Sequence, residues 1–197
     1  QEMIERTALD VIMGCGHPTY DEGGKALIVA PADLEKQAGY VGGAALWGAL
    51  NAQTAGADAD GDGTPDPWTL IEAPEQFEAL ASGDTPKRLL GVARAHSVLQ
   101  EGRPATVDCN GDGKLDADDI KAAEPYEMAP NPAVPSLVTM TRAALNVLDN
   151  DPDGFAIMIE GGAIDWAGHS NLLGRVVEET IDFSNAIDAV VAWVEHN

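Results

Sequence analysis

Between Ile159 and Asn171 the chain reads IEGGAIDWAGHSN, and three side chains in this stretch have the chemistry of metal ligands: Glu160, Asp165 and His169. Asp165 and His169 are four residues apart. If the chain is helical by Ile164 the two point the same way, and a carboxylate and an imidazole one turn apart suit a divalent ion such as zinc, which takes both oxygen and nitrogen. Glu160 stands before two glycines that let the backbone turn sharply. It therefore sits on a different element, and as an oxygen ligand it suits a harder ion such as magnesium. A lone Asp-x-x-x-His pair is usually an ordinary local hydrogen bond. The order apolar run, carboxylate, Gly-Gly, aspartate, histidine is far less common and favours the metal reading.

Two further acidic stretches have ligand spacing. DCNGDGKLDADD, residues 108–119, places Asp108, Asn110, Asp112, Asp116 and Asp119 at loop positions one, three, five, nine and twelve, with Gly113 at six and Lys114 at the position that offers its carbonyl. That is the spacing of an EF-hand calcium loop, and aspartate in twelfth place resembles dockerin loops. DADGDGTPD offers Asp58, Asp60, Asp62 and Asp66 in the same phase with Gly63 at six, but Thr69 takes the twelfth place. A calcium ion completed from elsewhere and an ordinary acidic turn both remain open for residues 58–69. His17 and His96 lack a carboxylate at helpful spacing and read as structural. Ser136 reads as a helix cap.

The elements that must position these residues alternate between strand and helix. EMIERTAL suggests a helix and DVIMGCG a short buried strand ending on glycines, which is the grammar of an α/β unit. A helix at PEQFEALAS precedes a buried strand at Leu89 to Ala93. From Ser136 to Leu148, Leu137, Val138, Thr141, Ala144, Leu145 and Leu148 recur at helical spacing. NDPDG then reads as a turn and FAIMIE as a continuous apolar strand, which would put Glu160 at its carboxyl end, where sites of open α/β sheets form. Leu173, Val176, Thr180, Phe183, Ile187, Val190 and Val194 mark one face of a final helix. The segment from Lys25 to Ala57 gives no firm reading.

With 197 residues the chain is long enough for a substantial core. Its net charge of −22, from 33 acidic and 11 basic residues, argues against nucleic acid or an anionic membrane surface as partner, since phosphates would be repelled. Metal ions must then receive any anionic substrate. No apolar run reaches membrane-spanning length. Cys15 and Cys109 are too far apart for a metal motif, leaving a disulfide or two free thiols. Calcium loops of this kind function best where calcium is millimolar, which favours a periplasmic or secreted protein, a setting compatible with a Cys15 to Cys109 disulfide that the sequence does not decide.

The stretch from Glu160 to His169, followed by EETIDFSNAIDAVVAW, closely resembles the metal-binding segment of the alkaline phosphatase family. PSLVTMTRAALNVL resembles that family's preceding helix, and LDVIMGCG and LLGVARAH resemble weaker core strands. The likeness covers Val134 to Trp193 well and the earlier part in patches. It implies a three-layer α/β/α sandwich, Glu160 as a magnesium ligand, Asp165 and His169 as ligands of one of two catalytic zinc ions, and Trp166 near the phosphate. It also implies phosphate monoester hydrolysis through a metal-activated serine, a phosphoserine intermediate and a zinc-bound water, and it leaves a homodimer open.

The family's aspartate-serine-alanine nucleophile and its later zinc ligands find no match here. The chain accordingly reads as the middle of a longer phosphatase and as inactive alone. Within 1–197, taken as part of the catalytic domain, residues 31–132 form an insertion-rich region with the calcium-type loops, and 133–197 form the metal-site core segment. The rival readings are a phosphodiesterase or sulfatase of the same superfamily, and a calcium-stabilised structural or adhesion module.

Overall fold

The computed structural model describes residues 1–196. In chain order it contains α1 (Glu2–Arg6), β1 (Val11–Gly14), α2 (Pro31–Gln37), a 3-10 turn (Ala38–Val41), α3 (Ala44–Asn51), β2 (Thr69–Ile71), α4 (Pro74–Leu80) and β3 (Leu89–Val92). There follow α5 (Ala117–Ala122), α6 (Leu137–Leu148), α7 (Gly162–His169) and α8 (Leu173–His196). The three strands form one parallel sheet in the order β1-β3-β2, with Val11 and Thr69 both opposite Leu89. The class is α/β, as the alternation of elements requires.

Helices cover both faces of this sheet. On one face Ile12, Leu70, Leu90 and Val92 pack with Ile4, Val41, Leu46, Trp47, Leu50 and Trp68. On the other, Val11, Met13, Ile71 and Leu89 meet Phe77 of α4 and Met140 and Val147 of α6. Central β3 is buried at all four residues, which is why LLGV reads as an unbroken apolar run. Gly91 belongs there because a β-carbon would stand 2.7 Å from a ring carbon of Phe77.

Local signals account for the helix starts. Ser136 caps α6 by accepting the amide of Thr139 at 3.1 Å, and Gln76 turns back at the start of α4 to accept the amides of Glu72 and Ala73. Asp116 and Asp119 form a reciprocal capping box at α5.

One expectation is corrected. Phe155–Glu160 is not a strand of the sheet: among the described residues its backbone makes no hydrogen bond, and Ile157 and Met158 are 37% and 87% exposed. The run has strand composition, but a strand exists only where a neighbour completes its ladder. The buried face of α8 is also different from the apolar repeat. Leu173, Ile187 and Val194 are exposed, whereas Gly174, Arg175, Glu178, Glu179, Ala186 and Ala189 are buried. Polar residues can face inward because they satisfy one another. Glu178 Oε2 accepts from Arg103 at 2.6 Å and from Arg175 at 3.2 Å, and its Oε1 accepts the Tyr126 amide at 2.7 Å.

Of the two states that the sequence leaves open for the cysteines, the structure has both free. Cys15 follows β1 and packs beside Ala93, Ala95 and Val134, while Cys109 sits in the second acidic loop.

Candidate metal centre

The carboxyl ends of the strands are where an α/β sheet gathers polar groups, and here they hold a histidine-carboxylate pair. His17, beyond β1, is 1% exposed, and its Nε2 donates to Glu72 Oε1, beyond β2, at 2.5 Å. The amide of Thr19 donates to Nδ1 at 3.2 Å, which places the ring proton on Nε2. Tyr20 and Trp47 pack edge-on against the ring, with centroids 4.6 and 5.1 Å away. Both nitrogens are therefore engaged and His17 is structural, as its sequence setting implies. His96 is likewise packed edge-on against Tyr40. Glu72 carried no sequence signal, because its partner lies 55 residues away.

The candidate ligands lie on and before α7. Helix begins at Gly162, so Asp165 and His169 do stand one turn apart: His169 Nε2 is 3.5 Å from Asp165 Oδ2, with the side chains 82% and 76% exposed. Two donors of the right type thus face solvent from one helical face. Glu160 is exposed on the segment leading into α7, and Trp166 is half exposed. Among the described residues Glu160 does not close up with Asp165 and His169 into one three-ligand group. Gly161 is required for a reason other than a left-handed turn, since its φ is −87°. A β-carbon there would meet Phe183 of α8 at 3.0 Å and Ile164 at 3.1 Å.

The one group of three acidic side chains whose oxygens all lie within 4.8 Å of one another, among the described residues, is Asp58, Asp60 and Asp66. Such spacing is able to hold a metal ion. Asp62 of the same loop stays outside that group, and so do Asp108, Asp112, Asp116 and Asp119 of the second loop. In the second loop Asp119 is buried and accepts the amides of Cys109, Asn110 and Asp116 at 2.8, 3.2 and 2.9 Å. These amides, that of Asp116 foremost, hold its carboxyl below the ordinary range.

Comparison with known proteins bears on this segment directly. A family model described as alkaline phosphatase matches residues 81–197, which is more than half of the chain and includes Glu160, Asp165 and His169. Alkaline phosphatase 3 of Bacillus subtilis is 45% identical over 62 residues, covering 32% of this chain and 13% of its own length. Alkaline phosphatase H of Pseudomonas aeruginosa is 26% identical over 205 residues, covering 96% of this chain and 34% of its own. Alkaline phosphatase 4 of Drosophila melanogaster is 37% identical over 68 residues. The chain spans between about a tenth and a third of the length of these relatives.

Proposed function

The chain belongs to the alkaline phosphatase family, and on that premise we propose that the full-length protein hydrolyses phosphate monoesters through a serine nucleophile and a phosphoserine intermediate. The observation that supports this most is the pair Asp165 and His169, 3.5 Å apart and solvent-facing on α7, inside the matched stretch. An oxygen and a nitrogen donor on one face suit zinc, and Glu160 suits magnesium. Two side chains are fewer than the three that catalytic zinc ordinarily has. Further ligands and the nucleophile, which no residue here matches, come from the rest of the enzyme in this reading, and the isolated chain is inactive.

Bound metal ions would supply the positive charge that stabilises a phosphoryl oxygen in a protein of net charge −22, and would activate the attacking group. The chain's own residues have the remaining work. Asp165 and His169 would hold one zinc, Glu160 would hold magnesium, and Trp166, beside Asp165, would border the phosphate. Gly161 lets the start of α7 lie close against Phe183.

The rest of the reading concerns architecture and setting. The sheet with helices on both faces is taken as part of a three-layer sandwich, in which residues 133–197 supply the metal-site segment and 31–132 carry the acidic loops. The loop of residues 108–119 binds calcium through Asp108, Asn110, Asp112, the Lys114 carbonyl, Asp116 and Asp119. No described helix is long and apolar enough to cross a membrane. A periplasmic or secreted location, small phosphate monoesters as substrates and a homodimer complete the proposal, with nucleic acid and membrane surfaces excluded as partners.

The test is hydrolysis of an aryl phosphate by the full-length protein with zinc and magnesium, beside its Asp165→Ala variant. Loss of one metal ligand should lower kcat/KM by at least tenfold, the scale seen when even outer-shell support of a metal is removed. An inactive protein, or an Asp165→Ala variant as active as its parent, sinks the proposal.

A further inference from the structure

The two acidic loops fold alike up to their last third. Asp58 accepts the amides of Gly61 at 2.8 Å and Gly63 at 3.0 Å, and Asp108 accepts those of Gly111 at 2.7 Å and Gly113 at 2.9 Å. Asp60 and Asp62 accept from the residues two further on, as Asn110 and Asp112 do. The loops part at closure. Asp119 closes the second from its twelfth position, whereas the twelfth residue of the first, Thr69, begins β2 and donates its amide to the Arg88 carbonyl. Thr69 is committed to the sheet, and Asp66 takes over, accepting the amide of Ala59 at 3.0 Å.

Closure from Asp66 draws three carboxylates together, a costly arrangement for like charges without a cation among them. The ammonium of Lys87 lies within reach of two of them. Its Nζ lies 2.7 Å from Asp60 Oδ2 and 2.7 Å from Asp66 Oδ1. Its place is fixed by the fold. The next residue, Arg88, is 1% exposed, stacks on Trp68 at 3.9 Å and donates to the carbonyls of Ala57 and Asp66, the two shoulders of the loop. Pairing of β2 with β3 then sets Leu89 opposite Thr69, so residue 87 must emerge beside the loop. Among the described residues no lysine bridges two carboxylates of the second loop: Lys114 reaches Asp112 at 3.2 Å and Lys121 reaches Asp118 at 3.1 Å.

We propose that Lys87 is the resident cation of the loop at residues 58–69: β3 delivers a tethered ammonium into a calcium-type loop, which therefore keeps its shape without a divalent ion. The hydrogen bonds from Lys87 are also the largest reason that the carboxyls of Asp60 and Asp66 lie below their ordinary range. One charge delivered by the sheet replaces both the ion and the missing twelfth ligand.

Amide exchange in the full-length protein tests this at Gly61, Gly63 and Thr64, whose amides the loop carboxylates hold. Each is measured in chelator and in millimolar calcium, for the wild type and for Lys87→Met, which keeps most of the aliphatic stem. The wild type should exchange equally in both solutions. Lys87→Met should exchange roughly two- to fivefold faster in chelator, the range that an exposed ion pair supplies, while the amides of Leu90 and Val92 stay protected. Marked slowing of the wild-type loop by calcium would overturn the inference, because the metal would then be the resident cation. A variant that exchanges like the wild type in chelator would overturn it equally. The wild-type comparison needs no variant and decides the matter even if Lys87→Met folds poorly.

Discussion

Glu179 should make the protein less stable as pH rises from about 4.5 to about 7, and Glu179→Gln should abolish that loss. The residue is 8% exposed on the inner side of α8, and its Oε1 has no hydrogen-bond partner among the described residues. Burial, then the charges of Asp182, Glu178 and Glu101, push its carboxyl from an ordinary 4.5 up to about 7, against an opposing pull from Arg103. Between these values the folded state holds a proton that the unfolded state has released, so raising the pH favours unfolding. The penalty is absent below about pH 4.5 and complete above about pH 7. At about 1.4 kcal/mol for each pH unit, the interval caps the cost at about 3 kcal/mol. Glutamine keeps the shape and cannot ionise. Urea unfolding from about pH 4 to about pH 8.5 should therefore find the two proteins nearly alike at the acid end, with the variant more stable by up to about 3 kcal/mol at the alkaline end. Parallel pH profiles would refute the reasoning, since they would mean that Glu179 ionises in the folded state as readily as in the unfolded chain.

Gly161→Ala should destabilise the protein by about 1–3 kcal/mol, the usual cost of forcing an extra carbon into a packed site, because the new carbon would stand 3.0 Å from Phe183. A cycle with Phe183→Leu checks the cause: the smaller side chain should recover part of the loss, and simple additivity would remove Phe183 as the reason for the glycine. Cys15 should resist alkylation in the native protein at pH 8, since burial foremost, with Glu22 and Glu179, pushes its thiol up to about 12, and the thiolate is the reactive form. Mass spectrometry showing rapid labelling of Cys15, or a Cys15 to Cys109 bond, would contradict this.

What could be read from the sequence divides by range of interaction. The cap at Ser136, the strands around Ile12 and Leu90, of which the first is only half-buried and the second buried throughout, and the one-turn spacing of Asp165 and His169 are settled within a few residues. The pairs that organise the rest are remote. His17 reaches Glu72 across 55 residues, Arg103 reaches Glu178 across 75, and Lys87 reaches Asp60 across 27. None leaves a periodic trace, because each depends on the register of the sheet or on the packing of α8. The same distinction explains the missing strand and the inward face of α8. An apolar hexamer such as FAIMIE states what a strand is made of, and only a ladder partner decides whether it becomes one. In α8 the apolar repeat at Leu173, Ile187 and Val194 is genuine, yet the helix turns inward the face whose Glu178 binds both Arg103 and Arg175. Turning that face outward would carry Glu178 and Arg175 into solvent together and leave Arg103 buried without its carboxylate, and an unpaired buried charge costs about 3–5 kcal/mol.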